Sequence, residues 1–273
     1  MRATPLSFRL IGRPGGKPLH VSSIRRGDTV PKELKTMGAR HDDNHTSAAL
    51  KTKICPRLSI APIATDEIYR HLGYPREVTP APRMEERIAR IVTEALPCLQ
   101  PRGVYALYAV ISRTNHALKL DETTISGNIG EYLRQADRVA VYVVTAGNKI
   151  THLAESAIKN NDAFLALVID AVGSCAVEAA ADALMLHLRR DLRDGEELTL
   201  RYSPGYCGMH IGQQRKLFQL VQADAVGVTL MPSMLIYPLK SISGLVGLAP
   251  KEAVSRYRSP CDLCARLGCH MRR

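Results

Sequence analysis

The stretch Leu198–Val221, "LTLRYSPGYCGMHIGQQRKLFQLV", decides how the rest of the chain is read. Its start belongs to "EELTLRY", a strand pattern, and its end, "GQQRKLFQLV", spaces Leu217, Leu220 and Val221 as the inner side of a helix. Between them Pro204-Gly205 predicts a type II turn, because Pro presets one φ and Gly accepts the positive one that follows. A turn needs only those two residues. Arg201, Tyr206 and Cys207 crowd the same few positions, and each carries chemistry. An Arg fork at a strand end can clamp a carboxylate, and a Tyr past the turn can lay its ring on a cation or an adenine. On spacing alone, a packed turn with a solvated Arg also accounts for them and is the simpler reading.

Working outward, "ATDEIYRHLGY" reads as a short helix with Thr65 or Asp66 as N-cap and Gly73 as its stop. "MEERIARIVTEAL" places Ile88, Ile91, Val92 and Ala95 on one helical face. Val104–Ser112 and Val139–Thr145 are strand patterns, the second running through "TAGNKI" into a further helix. From Thr151 to Leu192 the pattern is helical and breaks near Asn160–Asn161. Its second half is apolar around most of its circumference, which predicts a central core helix. Gly173 in its middle predicts close approach of a neighbour's backbone. Glu178 on the same helix must be paired or face solvent, since a lone buried carboxylate is costly. "VGVTL" and "SGLVGLA" are two further short strands. Strands and helices do not alternate strictly, so the predicted fold class is α+β.

Of 273 residues, 37 are Lys or Arg and 26 Asp or Glu, for a net charge of +11. Residues 1–54 hold eleven positive and four negative side chains, and residues 256–273 hold five and one, which leaves 21 of each sign between them. The basicity belongs to the ends. A nucleic-acid groove needs a basic folded face with interleaved aromatics; the neutral middle, with no Trp, argues against one. The longest apolar run is interrupted by Asp170 and Glu178, so no membrane span is expected. The start has no apolar core of signal-peptide length, and a cytoplasmic location is expected. Residues 1–54 are expected to form a disordered basic tail, 55–258 an α+β domain, and 259–273 a Cys-rich basic tail.

In that last segment, "SPCDLCARLGCHMRR", Cys261 and Cys264 form a C-x-x-C chelate with Cys269 nearby. Three thiolates with His270 or Cys207 would complete four ligands for Zn or an iron–sulfur cluster. The missing second C-x-x-C leaves a redox thiol pair, or no role, as alternatives. No dinucleotide, Walker, zincin or serine-hydrolase motif occurs.

Taken together, Arg201, Gly205-Tyr206, Gly227–Leu230, Ser233, Pro238 and Ser241-Ile242-Ser243-Gly244, with the helix "DAVGSCAVEAAADAL", resemble the activation domain of cobalamin-dependent methionine synthase. The stand-alone activation-domain-like proteins look closer still. The resemblance spans roughly residues 58–258. It implies a twisted antiparallel sheet flanked by helices that binds S-adenosylmethionine. It also implies a role in reductive methylation, in which a cobalamin inactivated by oxidation to the cob(II) form is reduced again and methyl transfer traps the reduced cobalt as methylcobalamin. Glu178 falls on the position of the family's ligand-contacting Glu, and the resemblance implies that Arg201 holds the ligand carboxylate while the backbone at Ser203 and Tyr206 approaches the adenosine across the Gly205 turn. Two departures stand out. Cys207 replaces a Pro that follows the Gly-Tyr pair in the long enzyme, and the D-x-H-x-x-G cobalamin motif is missing. The expectation is therefore an accessory to methionine synthase (methyltransferase) activity and methionine biosynthesis. It would act only with a corrinoid-bearing partner and an electron donor protein. The rival expectation is a non-catalytic module that recognises a corrinoid protein and holds a structural metal on Cys261, Cys264 and Cys269.

Overall fold

The computed structural model describes residues 50–254 apart from Arg76 and Cys207. The strands are β1 (Lys51–Cys55), β2 (Arg102–Thr114), β3 (Ala117–Leu120), β4 (Thr123–Ser126), β5 (Arg138–Thr145), β6 (Glu196–Tyr202), β7 (Thr229–Leu230), β8 (Ile236–Tyr237) and β9 (Ser241–Pro250). The helices are α1 (Thr65–His71), α2 (Pro82–Ala95), α3 (Ile129–Tyr132), α4 (Asn148–Lys159), α5 (Ala163–Leu188), α6 (Gln214–Leu220) and α7 (Lys251–Val254). Seven strands make one antiparallel sheet in the order β4-β3-β2-β5-β9-β6, with β1 paired to the first half of β2. β7 and β8 form a separate pair. This is the α+β architecture that the pattern of elements predicts.

Two apolar layers sandwich the sheet. On one face Tyr105, Tyr142 and Val144 pack against α5, through Val168, Val172, Ala176, Ala180 and Leu184, and against α1, α2 and α4. On the other, Val104, Val141, Val143 and Leu245 meet α6 and the loop residues Met209, Val226 and Val228. β5 is therefore buried along its whole length and shows no polar alternation. α5 is the central helix that its composition predicts. It is also long and apolar enough to cross a membrane, yet more than half of the qualifying stretch is buried inside the fold. The chain breaks between α4 and α5 as expected: Asn161 takes a positive φ of 59°, and the Asp162 carboxylate caps α5 by accepting from Leu165 N–H at 2.9 Å.

Several boundaries differ from the sequence reading. The tail expected to end at residue 54 gives way to β1 at Lys51. Local pattern hides this strand because its pairing to β2 and its lysine contacts to Asp191 are long-range. α1 begins after Ala64 without a side-chain cap, so neither Thr65 nor Asp66 is the N-cap. Gly173 does admit a close neighbour, but it is the Lys240 side chain rather than backbone: a Cβ there would lie 2.8 Å from Lys240 Cγ. The β3–β4 hairpin, turning at Asp121 with φ 51°, carries no sequence signal beyond four-residue strands.

Candidate functional site

β6 ends the sheet, and its pairing to β9 contains a bulge. Leu198 faces Leu248 and Arg201 faces Val246, so two residues of β6, Thr199 and Leu200, stand opposite Gly247. Leu198, Val246 and Leu248 all belong to the α5 layer. Strict alternation from Leu198 would turn Arg201 to the opposite face, whereas the extra residue turns it toward α5. Thr199 fastens the irregularity: its hydroxyl accepts from Gly247 N–H at 2.8 Å and donates to the Leu200 carbonyl at 3.0 Å.

The bulge brings Arg201 onto an acidic stripe of α5. Nη2 lies 3.1 Å from Glu178 Oε2 and 3.1 Å from Asp182 Oδ1. Residues four apart share a helical face, so Asp170, Ser174, Glu178 and Asp182 form one row. Lys240, at the entry to β9, takes the other half of it, with Nζ 2.7 Å from Asp170 Oδ1 and 2.9 Å from Ser174 Oγ. Gly173 leaves room for the stem of that lysine. The result is a charged seam between α5 and the sheet edge. Glu178 is thus both paired and 44% exposed, while the Arg201 side chain is only 23% exposed. Its Nη1 is buried and has no hydrogen-bond partner among the described residues. An unpaired guanidinium donor is expensive to bury, and a carboxylate would complete it.

Below the seam lies Tyr142, buried in β5, with the Ser203 side chain close to its hydroxyl. Burial pushes this phenol up to about 12, against the opposing pull of the Arg201 charge. It stays neutral at ordinary pH. Gly244 makes room for it, because a Cβ there would come within 2.7 Å of both the Tyr142 hydroxyl and the Tyr202 carbonyl. From Ser203 the chain enters the predicted turn. Gly205 has φ 93°, and Tyr206 N–H donates to Ser203 O at 3.2 Å, which is type II geometry. Bonds from Gly205 N–H to Met209 O (2.8 Å) and from Met209 N–H to Tyr206 O (2.9 Å) hold the loop closed. Tyr206 stands out from it 71% exposed. His71 on α1 completes the surroundings. Burial lowers its pKa, the Arg70 charge and then Lys240 act in the same direction, and Glu67 and Glu178 oppose them.

The structure therefore gathers Glu178, Arg201, Ser203, Gly205 and Tyr206 along one strand end and the facing helix. Asp182, Tyr142, Lys240 and His71 are additions that the sequence reading missed. Asp182 alone had a signal, its four-residue offset from Glu178. Cys207, Cys261, Cys264, Cys269 and His270 lie outside the described residues. Among the described residues, Cys55, Cys98 and Cys175 are free thiols, and no three metal-ligating side chains cluster. Burial raises the thiols of Cys55 and Cys175, the latter to about 11. Shallow concavities lined by Tyr132, Thr199 and Leu200, and by Arg215, Phe218 and Met231, include none of the predicted site residues.

Comparison with known proteins bears on this arrangement. Residues 122–257, which include β5, α5, β6, the turn and β9, match the family described as vitamin B12 dependent methionine synthase, activation domain. The chain is similar to the crystal structure of the MetH reactivation domain bound to AdoHcy, with a TM-score of 0.54 and 16% identity. That match covers 78% of this chain and 82% of the other. It shows a shared fold. No match was found among curated proteins.

Proposed function

Since residues 122–257 belong to the vitamin B12 dependent methionine synthase activation-domain family, we propose that the charged seam binds S-adenosylmethionine. The protein then supports reductive methylation of a cobalamin carried by a separate corrinoid partner, with an electron donor protein. It contributes to methionine synthase activity only in that company. The observation that carries the reading is the buried, unpaired Nη1 of Arg201 beside the Gly205 turn.

Each residue has a role that follows from its chemistry. Arg201, whose side chain is 23% exposed, offers its guanidinium to the ligand carboxylate, while Glu178 and Asp182 steady the fork. Glu178, half-exposed, is also available to the ligand's ammonium group. The turn at Ser203–Tyr206 has no side chain at Gly205, so an adenosine can approach the backbone, and the exposed Tyr206 ring gives it a stacking surface. When bound, the ligand would supply a methyl group on a cationic sulfur for transfer to the partner's reduced cobalt, with the neutral thioether as leaving group.

Anaerobic calorimetric titration of S-adenosylmethionine into the intact protein and into Arg201→Ala tests the reading. Micromolar binding that weakens about tenfold or more in the folded variant is expected, the scale of one lost charged hydrogen bond. Absence of binding to the intact protein would overturn the assignment. The metal site expected at Cys261, Cys264 and Cys269 is tested separately, by metal analysis of the full chain beside a triple Cys→Ser variant. A stoichiometric metal lost in the variant is the expected result.

A further inference from the structure

The seam's charges do not balance. Asp170, Glu178 and Asp182 line one side, and among the described residues only Lys240 and Arg201 pair with them. Lys240 is committed to Asp170 at 2.7 Å, so the surplus falls on Glu178 and Asp182, which share the single Nη2 of Arg201. The facing elements do not supply the missing positive charge. On α1, Glu67 and Arg70 pair with each other, Asp66 adds to the negative sign, and burial lowers the pKa of His71. The β5 contribution, Tyr142, is neutral. The side chains of Glu178 and Asp182 are 44% and 73% exposed, so the surplus looks outward along the seam rather than into the core.

We infer that this uncompensated negative charge, centred on Asp182 and Glu178, makes the seam prefer a ligand bearing a cationic sulfur over the neutral thioether left after methyl transfer. The inference rests on the binding reading above and gives Asp182 a part in specificity. S-adenosylmethionine carries one more positive charge than S-adenosylhomocysteine, and losing the methyl removes the charge that the seam attracts. Spent ligand therefore leaves more readily than fresh ligand.

The test compares three probes by titration into the full chain at low and high salt: S-adenosylmethionine, S-adenosylhomocysteine and sinefungin. Sinefungin carries an ammonium group in place of the methylated sulfur, so it separates charge from methyl contact. The two cationic probes are expected to bind about fivefold or more tightly than the thioether at low salt, as for a charge facing a partly exposed carboxylate. Added salt should narrow that ratio, and Asp182→Asn should reduce it to about twofold or less. Because Asp182 is 73% exposed, the variant is expected to fold. Equal binding of all three probes, or a ratio that Asp182→Asn leaves unchanged, would overturn the inference while leaving the binding reading standing. Failure of all three to bind would remove both.

Discussion

Two polar clusters anchor opposite stretches of α5 to the sheet, and they are built on different principles. Just past the C-terminal end of α5, the Asp191 side chain is 3% exposed and fully used. Its carboxylate accepts from Lys51 and Lys53 of β1 and from the Tyr105 hydroxyl of β2. Its own carbonyl accepts from Arg138 at 3.2 Å, and Arg138 is paired with Glu196. Lys53 and Tyr105 are cross-strand partners, so one carboxylate fastens both strands to the end of the helix. The seam around Arg201 holds as many charges but leaves a guanidinium donor unpaired and a carboxylate in surplus. Saturated clusters of this kind specify structure, whereas an unsatisfied buried donor calls for an explanation, which the proposed ligand supplies.

The contrast should break first at Asp191. Replacing it with Ala strips three donors of one buried acceptor and is expected to destabilise the fold by about 2–3 kcal/mol in chemical denaturation. A loss below about 0.5 kcal/mol would make the cluster ornamental. The same residue sets an acid limit. Although burial alone would raise its pKa, the bonds from Lys51, Tyr105 and Lys53 outweigh this and hold the carboxyl below its ordinary value of 3.8. Its stabilising effect is therefore complete above that value and is lost as pH falls through it toward the lowered one. Stability measured against pH should fall in that window and flatten there in Asp191→Asn.

Thr199→Val sharpens the comparison from the other side. It removes the hydroxyl that satisfies Gly247 N–H at 2.8 Å, at a cost of about 1 kcal/mol. If the bulge aims Arg201, the variant should also weaken S-adenosylmethionine binding in calorimetry. A similar magnitude separates Gly173→Ala from its double variant with Lys240→Ala. Helix propensity favours Ala by about 1 kcal/mol, but the lysine stem blocks the new methyl. The gain should thus appear in thermal denaturation only when both are changed. Smallest of all, Arg201→Ala should alter stability by less than about 1 kcal/mol, because its ion pairs are partly exposed. Its deficit should appear in ligand binding instead.

The sequence makes some of this legible and hides the rest for physical reasons. α2, α5, β5, β6 and the Pro204-Gly205 turn follow from periodicity and local φ preference, which neighbouring residues determine. β1 does not, because "KTKIC" becomes a strand only through pairing with β2 and through a carboxylate 138 residues from Lys53. The site divides in the same way. Arg201, Gly205 and Tyr206 are conspicuous in one short stretch, and Glu178 stands out as a charge on an apolar helix. Lys240 and Tyr142 reach the seam by tertiary packing, which no local pattern reports. Alternation is misleading at Arg201 itself: counted from Leu198, it assigns that residue to the wrong face, and only the bulge corrects it.

That bulge has a second effect, on how the molecule meets other copies of itself. β6 is the last strand in the sheet order, and a regular last strand offers a row of free backbone groups on which another chain can grow. Here the row is interrupted midway at Thr199–Leu200. An incoming strand would lose register at the interruption, so the irregularity that aims a side chain at the seam also makes this edge a poorer template for another chain.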